Sequence, residues 1–167
     1  GAEENAELYN RLIPFAKSCG VKIAAENMWN RAPDKSIIPA ACSSPEDFCR
    51  HIDVLDGQIV ACLDIGHAEM RGVNTSAVEM IHALGHRLQA LHIHDNDKKG
   101  DTHQIPFSMA IDFTPIVKAL HDIAYPGYFT LEADVYLKKF TPESAFEGVK
   151  NLAASAKKLA QMYEELV

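Results

Sequence analysis

The segment IVACLDIGH, residues 59–67, decides the fold. It is an apolar run of strand length that stops at a metal-ligand residue type, Asp64, with an imidazole, His67, one turn later. Three other segments have the same form: VKIAAEN (21–27) reaches Glu26, LQALHIHDN (88–96) reaches His92, and YFTLEADV (128–135) reaches Glu132. Stretches of helical periodicity lie between them. Strands alternating with helices imply a parallel sheet with right-handed crossovers. A parallel barrel is the simplest way to make such strand ends converge, and one divalent cation needs ligands converging from several strands.

Side-chain parity sharpens this reading. Side chains alternate across a strand, so Glu26 shares a face with Ala24, opposite Val21, Ile23 and Ala25. Asp64 shares a face with Cys62 and Val60, opposite Leu63 and Ala61. His92 and His94 lie together opposite Leu91 and Ile93, and Glu132 lies with Thr130 opposite Leu131 and Phe129. Each ligand type falls on the smaller or more polar face, and the large apolar residues fall where helices would cover them.

The intervening segments supply the helices. Residues 3–19 carry Leu8, Leu12, Phe15 and Cys19 at helical spacing, with Gly20 as the stop and Pro14 predicting a kink or break. Ser44-Pro45-Glu46-Asp47 starts a helix that turns Phe48, Ile52 and Leu55 inward, and Ser76 with Glu79 caps the next, which stops near Gly85. A further helix begins near Thr114-Pro115. The last begins at Thr141-Pro142, with Phe146, Val149, Ala153, Ala156, Ala160 and Tyr163 on one stripe. Residues 27–43 read as a long loop holding the single tryptophan, Trp29, and a loop of that length is more often functional than idle.

Composition bounds the answer. With 167 residues, 47% of them hydrophobic, the chain is expected to form a single domain, 1–167. No apolar run approaches the ~20 residues that span a bilayer. The polar, acidic start does not resemble a signal peptide, and Cys19, Cys42, Cys49 and Cys62 show no CxxC spacing. A reduced, cytoplasmic protein without a membrane partner is expected. A net charge of −7 argues against a nucleic-acid partner.

Each motif alone has an ordinary structural reading: Glu26 as a solvated strand end, Asp64 as a helix N-cap beside a surface His67, and His92 held by Asp95 of its own loop. Together, however, AAEN, LDIGH, LHIHD followed by DTH, and FTLEAD resemble the xylose isomerase-like TIM barrels. That superfamily includes sugar isomerases, ketose 3-epimerases, inosose dehydratase-like enzymes and endonuclease IV. The resemblance covers nearly the whole chain but only strands five to eight of the family's barrel. It implies a parallel (β/α) barrel of the TIM type, present as about its second half with four strands and about five helices.

The resemblance further implies that Glu26, Asp64, His92 and Glu132 bind one divalent metal, with His94 as the rival of His92. Mn²⁺ is the first choice, with Mg²⁺, Co²⁺ and Zn²⁺ as alternatives. By the same analogy Glu26 and Glu132 are the catalytic pair that moves a proton on a ketose or aldose through an enediolate. His67, Asp101 and His103 face the substrate, and Trp29 is either a wall for the sugar or ordinary packing. His67, Asp101 and His103 also match positions that hold an additional zinc in endonuclease IV, so a phosphodiesterase is an alternative. A dehydratase acting on a cyclic polyol and an inactive metal-binding remnant are the others. Two departures stand out. Phe107-Ser108-Met109-Ala110 replaces the family's Gly-Glu-Gly-like turn. The first four strands of a barrel that normally needs ~250 residues have no counterpart. A truncated chain, a gene fragment or a half-barrel pairing with a second copy would each account for this. The isolated monomer is expected to bind a cation but to turn over little sugar.

Overall fold

In the computed structural model, which describes residues 1–166, the chain runs through α1 (Ala2–Ser18), β1 (Ala24–Glu26), β2 (Trp29–Arg31), β3 (Ile37–Pro39) and α2 (Pro45–Asp53). It continues through β4 (Val60–Asp64), α3 (Ile65–Ala68), α4 (Ala77–Leu84), β5 (Leu88–His92), α5 (Phe113–Asp122), α6 (Asp134–Leu137) and α7 (Ala145–Glu164). The caps act as their sequences dictate. Ser44 Oγ accepts from Asp47 N and Ser76 Oγ from Glu79 N, while Gly85, at φ 51°, ends α4.

Strands β1, β4 and β5 form a parallel sheet in that order, giving a TIM-barrel-like α/β fold. Its register sets Glu26 beside Cys62 and Asp64 beside His92, so the polar residues gather at one end of the sheet. The covered face carries Ala25, Ala61, Leu63, Leu91 and Ile93, packed in one cluster with Phe48 and Ile52 of α2, Met80, Ile81 and Leu84 of α4, and Ile116, Val117 and Leu120 of α5. Burying each of the larger side chains contributes about 1.5–3 kcal/mol, which ties the sheet to its helices. The opposite face is open in part: Ala24 and Thr130 are exposed.

Several expectations are corrected. The fourth strand is reduced to a parallel bridge between Ile93 and Leu131, made by Ile93 N to Thr130 O at 2.9 Å and Glu132 N to Ile93 O at 3.0 Å. These two bonds still carry Glu132 to the polar end. The last long helix starts at Ala145, after the short α6, rather than at Thr141. Residues 27–43 contain a hairpin, with Trp29 paired to Pro39 and Arg31 to Ile37. Its Ile37 forms a small second apolar cluster with Met70 and Val73, against which Trp29 packs.

Helix α1 runs unbroken through Pro14 and buries Ala2, Ala6, Ile13 and Ala16, leaving Leu8, Leu12, Phe15 and Cys19 exposed. Helix α7 likewise buries Gly148, Ser155 and Leu159 and exposes Phe146, Val149 and Ala153. The sequence reading puts Leu8, Leu12, Phe15 and Cys19 at helical spacing and Phe146, Val149, Ala153, Ala156, Ala160 and Tyr163 on one stripe. In both helices much of the close approach is made by small residues; Leu8, Leu12, Phe15, Phe146 and Val149 are exposed, while Met162 and Tyr163 of α7 pack against the core.

Candidate metal centre

The outer part of the site stands on strand ends. Glu26 closes β1, Asp64 closes β4, His92 closes β5, and Glu132 follows the Ile93–Leu131 bridge. One donor atom from each of the four lies within 4.8 Å of the others. His92 Nδ1 is 3.1 Å from Glu26 Oε1 and 3.1 Å from Glu132 Oε2. Ionised carboxylates only accept, so Nδ1 carries the proton. Hydrogen bonding to the Cys62 sulfur and to Glu26 pushes the His92 imidazole up to about 11.

Asp64 is fully buried. Burial works against its charge, but the His94 hydrogen bond and the nearby His67 and His94 outweigh it and hold the carboxyl below its ordinary range. Oδ1 accepts from His67 N at 2.7 Å and lies 3.2 Å from His94 Nε2, whereas Oδ2 has no hydrogen-bond partner. Asn27, which the sequence reading passed over, fixes the backbone here. Its amide donates to Asp64 O at 3.0 Å and accepts from Asp64 N at 2.7 Å, locking the end of β1 to the end of β4. The available signal was its place directly after Glu26 at the end of a strand.

A second cluster lies beside the first. One donor atom each from His67, His94, Asp101 and His103 falls within 4.8 Å of the rest. Asp101 is its hub. Oδ2 is 3.2 Å from His67 Nε2, and Oδ1 is 3.1 Å from His103 Nε2 and 3.4 Å from His94 Nε2. His67 Nδ1 donates to the Asn27 carbonyl at 2.9 Å, so both ring nitrogens face acceptors and the ring is an imidazolium. Burial opposes that charge, but Asp101, Asp64 and the Asn27 carbonyl raise His67 to about 9. Burial pushes Asp101 up, and the surrounding imidazoles, His67 first, overcome this and bring it down to about 2. His94 is fully buried and stacks on His103 with centroids 4.1 Å apart. The two histidines proposed as alternatives thus part company: His92 joins the glutamates and His94 joins Asp101.

Asp95 is no part of either cluster. Its buried carboxylate accepts from Asn96 N (2.8 Å), Met109 N (2.8 Å) and Ile111 N (3.0 Å). It therefore folds the loop carrying Asp101 and His103, and it organises Phe107–Ala110 where the family has its Gly-Glu-Gly-like turn. Trp29 is half-buried, and its indole Nε1 donates to Asp101 Oδ2 at 3.3 Å. The tryptophan is bonded into the polar cluster rather than simply walling it.

The donor chemistry fits a cation. Three carboxylates meet around one imidazole, and a fully buried carboxylate oxygen has no donor facing it. Buried polar atoms are rarely left unpaired. Such an oxygen-rich set suits a hard divalent ion.

Comparison with known proteins identifies the family and the fold. The model of the family described as xylose isomerase-like TIM barrel matches residues 2–162. An uncharacterized protein of Methanocaldococcus jannaschii is 27% identical over 131 residues, 78% of this chain and 43% of its own length. Among solved structures, a D-tagatose 3-epimerase-like protein superposes with TM-score 0.68 at 22% identity, over 98% of this chain and 56% of that one. The 3-keto-D-glucoside 4-epimerase from E. coli does so with TM-score 0.67 at 20% identity, over 93% and 53%. An L-ribulose 3-epimerase gives TM-score 0.65 at 17% identity, over 93% and 51%. The chain spans about half the length of these proteins. No described helix is long and apolar enough to cross a membrane.

Proposed function

The chain belongs to the xylose isomerase-like TIM barrel family, and on that premise we propose that it is the metal-binding half of a barrel that isomerises or epimerises a sugar. The convergence of Glu26, Asp64, His92 and Glu132, with Asp64 Oδ2 unpaired among them, carries this reading. These four residues would hold one divalent ion, Mn²⁺ first. When bound, the ion supplies Lewis acidity that polarises a sugar carbonyl and acidifies the adjacent C–H. Glu26 and Glu132 stand on either side of His92 and each keeps an oxygen free to act as a base. One removes the proton from the carbon beside the carbonyl and the other returns it. His67, doubly protonated between Asn27 and Asp101, places its positive charge beside the substrate site, and its Nε2–H would donate to a substrate oxygen only by exchanging its contact with Asp101. The open face of the sheet would be closed by the remaining strands, from a longer chain or a second copy, and this closure excludes water from the reaction.

The inner cluster favours a second reading. Three imidazoles and a carboxylate form a softer donor set that would suit a second ion such as Zn²⁺ beside Asp64, as two-metal phosphodiester cleavage uses.

The proton on His92 Nδ1 must leave before that atom can coordinate a metal, and the imidazole is raised to about 11 in the metal-free protein. Between pH 6 and 9 this group alone therefore weakens Mn²⁺ binding about tenfold for each unit of acidification. Calorimetry in buffers of different ionisation enthalpy counts the released proton. A pH-independent affinity would overturn the reading that metal binding displaces a proton from His92.

The reaction is tested by native mass spectrometry with Mn²⁺, followed by NMR of C–H exchange into D₂O across a panel of ketoses. One ion per chain is expected, with exchange confined to the assembled form and slowed about 100-fold or more by Glu132→Gln. An assembled, Mn²⁺-loaded form inert toward every ketose overturns the isomerase reading. Rapid exchange by a proven monomer overturns the need for closure.

A further inference from the structure

We propose that Trp29 is a positioning residue that acts through Asp101, so that the β2–β3 hairpin, rather than the barrel strands, sets the geometry of the imidazole cluster. Asp101 lies in the loop after β5, outside any strand, and uses its two oxygens unequally: Oδ2 is hydrogen-bonded to His67 at 3.2 Å, whereas Oδ1, 3.1 Å from His103 Nε2, has no hydrogen-bond partner. With a single imidazole hydrogen bond the carboxylate can still turn about its terminal bond, so a further contact is needed to fix it. The Trp29 Nε1–H supplies it by donating to Oδ2 at 3.3 Å across 72 residues of sequence. Among the donors on Asp101 it is the one with no charge to gain or lose, and its orientation is independent of proton traffic in the cluster.

The indole is itself fixed from the other side. It packs on the cluster of Ile37, Met70 and Val73, its ring meets His67 edge-on at 6.5 Å, and the Arg31 guanidinium covers it at 5.3 Å. Gly72 lets the hairpin come this close. A Cβ there would lie 2.3 Å from the Ile37 carbonyl oxygen, and its φ of +106° favours glycine. The hairpin thus has a rigid seat, and the rigid side chain bonded to Asp101 projects from it.

The inference rests on His67 and Asp101 belonging to the functional site. It is read without substrate or metal, so its failure is separate from failure of the isomerase reading. The experiment is long-range ¹H–¹⁵N NMR of the histidine rings in the metal-free chain, comparing wild type, Trp29→Phe and Ile37→Val. Trp29→Phe keeps the ring and removes the donor. It is expected to speed exchange of the His67 Nε2 proton with water on the order of tenfold and to move the His103 signals, leaving His92 in place. Ile37→Val trims the seat of the hairpin but keeps the indole donor, and is expected to move the same His67 and His103 signals by clearly less than Trp29→Phe does. Unchanged His67 and His103 signals in Trp29→Phe would overturn the proposal. So would an equal response to Ile37→Val, which would reduce Trp29 to packing.

Discussion

Asp64→Asn is expected to weaken Mn²⁺ binding by on the order of 100-fold or more, the largest loss from any single substitution among the four outer residues. The glutamates are partly exposed and can be replaced in part by water, but Asp64 is fully buried and water cannot take its place. Its Oδ2 has no other partner to satisfy, so the asparagine would place either a weaker neutral acceptor or an amide N–H there. The same substitution has a signature in the metal-free protein. The folded carboxyl is held below its ordinary range, so its charge contributes stability above the unfolded pKa of about 3.9 and loses that contribution as pH falls through the folded value. Wild type is therefore more stable than Asp64→Asn at neutral pH, and the gap closes on acidification. Urea denaturation at several pH values measures the gap, and calorimetry measures the ion. A variant that binds Mn²⁺ as wild type does would exclude Asp64 as a ligand.

What the sequence revealed, and what it hid, follows one physical division. Strand parity is a local, two-residue rule, and with the apolar runs it placed Glu26 and Asp64 at the strand ends where they are found. Caps are equally local, so Ser44 and Ser76 were legible. Helix faces are not local. The pattern Leu8, Leu12, Phe15 has the spacing of a buried stripe, but which stripe is buried depends on what stands beside the helix. The hairpin over 29–39 was hidden because its strands have three residues each, too few for an alternation to register. Parity also put His92 and His94 on one face and left them as rivals. They separate along the chain: His92 ends β5 beside the glutamates, and two residues on, past the parallel bridge at Ile93, His94 is fully buried between Asp64 and Asp101. The roles of Asn27, Trp29 and Asp95 needed partners 37, 72 and 14 residues away, and no spacing rule reaches that far.

Gly66→Ala is expected to destabilise the chain by about 3 kcal/mol, through a contact that involves no backbone strain of its own. A Cβ at this position, in the single turn after Asp64, would lie 2.0 Å from Cε1 and 2.2 Å from Nε2 of His94. The ring has nowhere to go. It is fully buried, its Nε2 faces Asp64 at 3.2 Å and Asp101 at 3.4 Å, and its other face stacks on His103 at 4.1 Å. Nor can the backbone retreat freely, because Asn96 Nδ2 donates to Gly66 O at 2.9 Å and His67, next in the chain, is fixed at both ring nitrogens. Relief must come from displacing His94, which pulls apart both clusters at once. A double-mutant cycle isolates the cause. In a His94→Ala background the added methyl meets open space, and Gly66→Ala is expected to cost less than about 1 kcal/mol. If the two backgrounds lose equal stability in urea, the glycine is required for the turn itself. If only wild type pays the penalty, Gly66 is the gap through which β4 admits the imidazole that joins the carboxylate-rich cluster to the histidine-rich one.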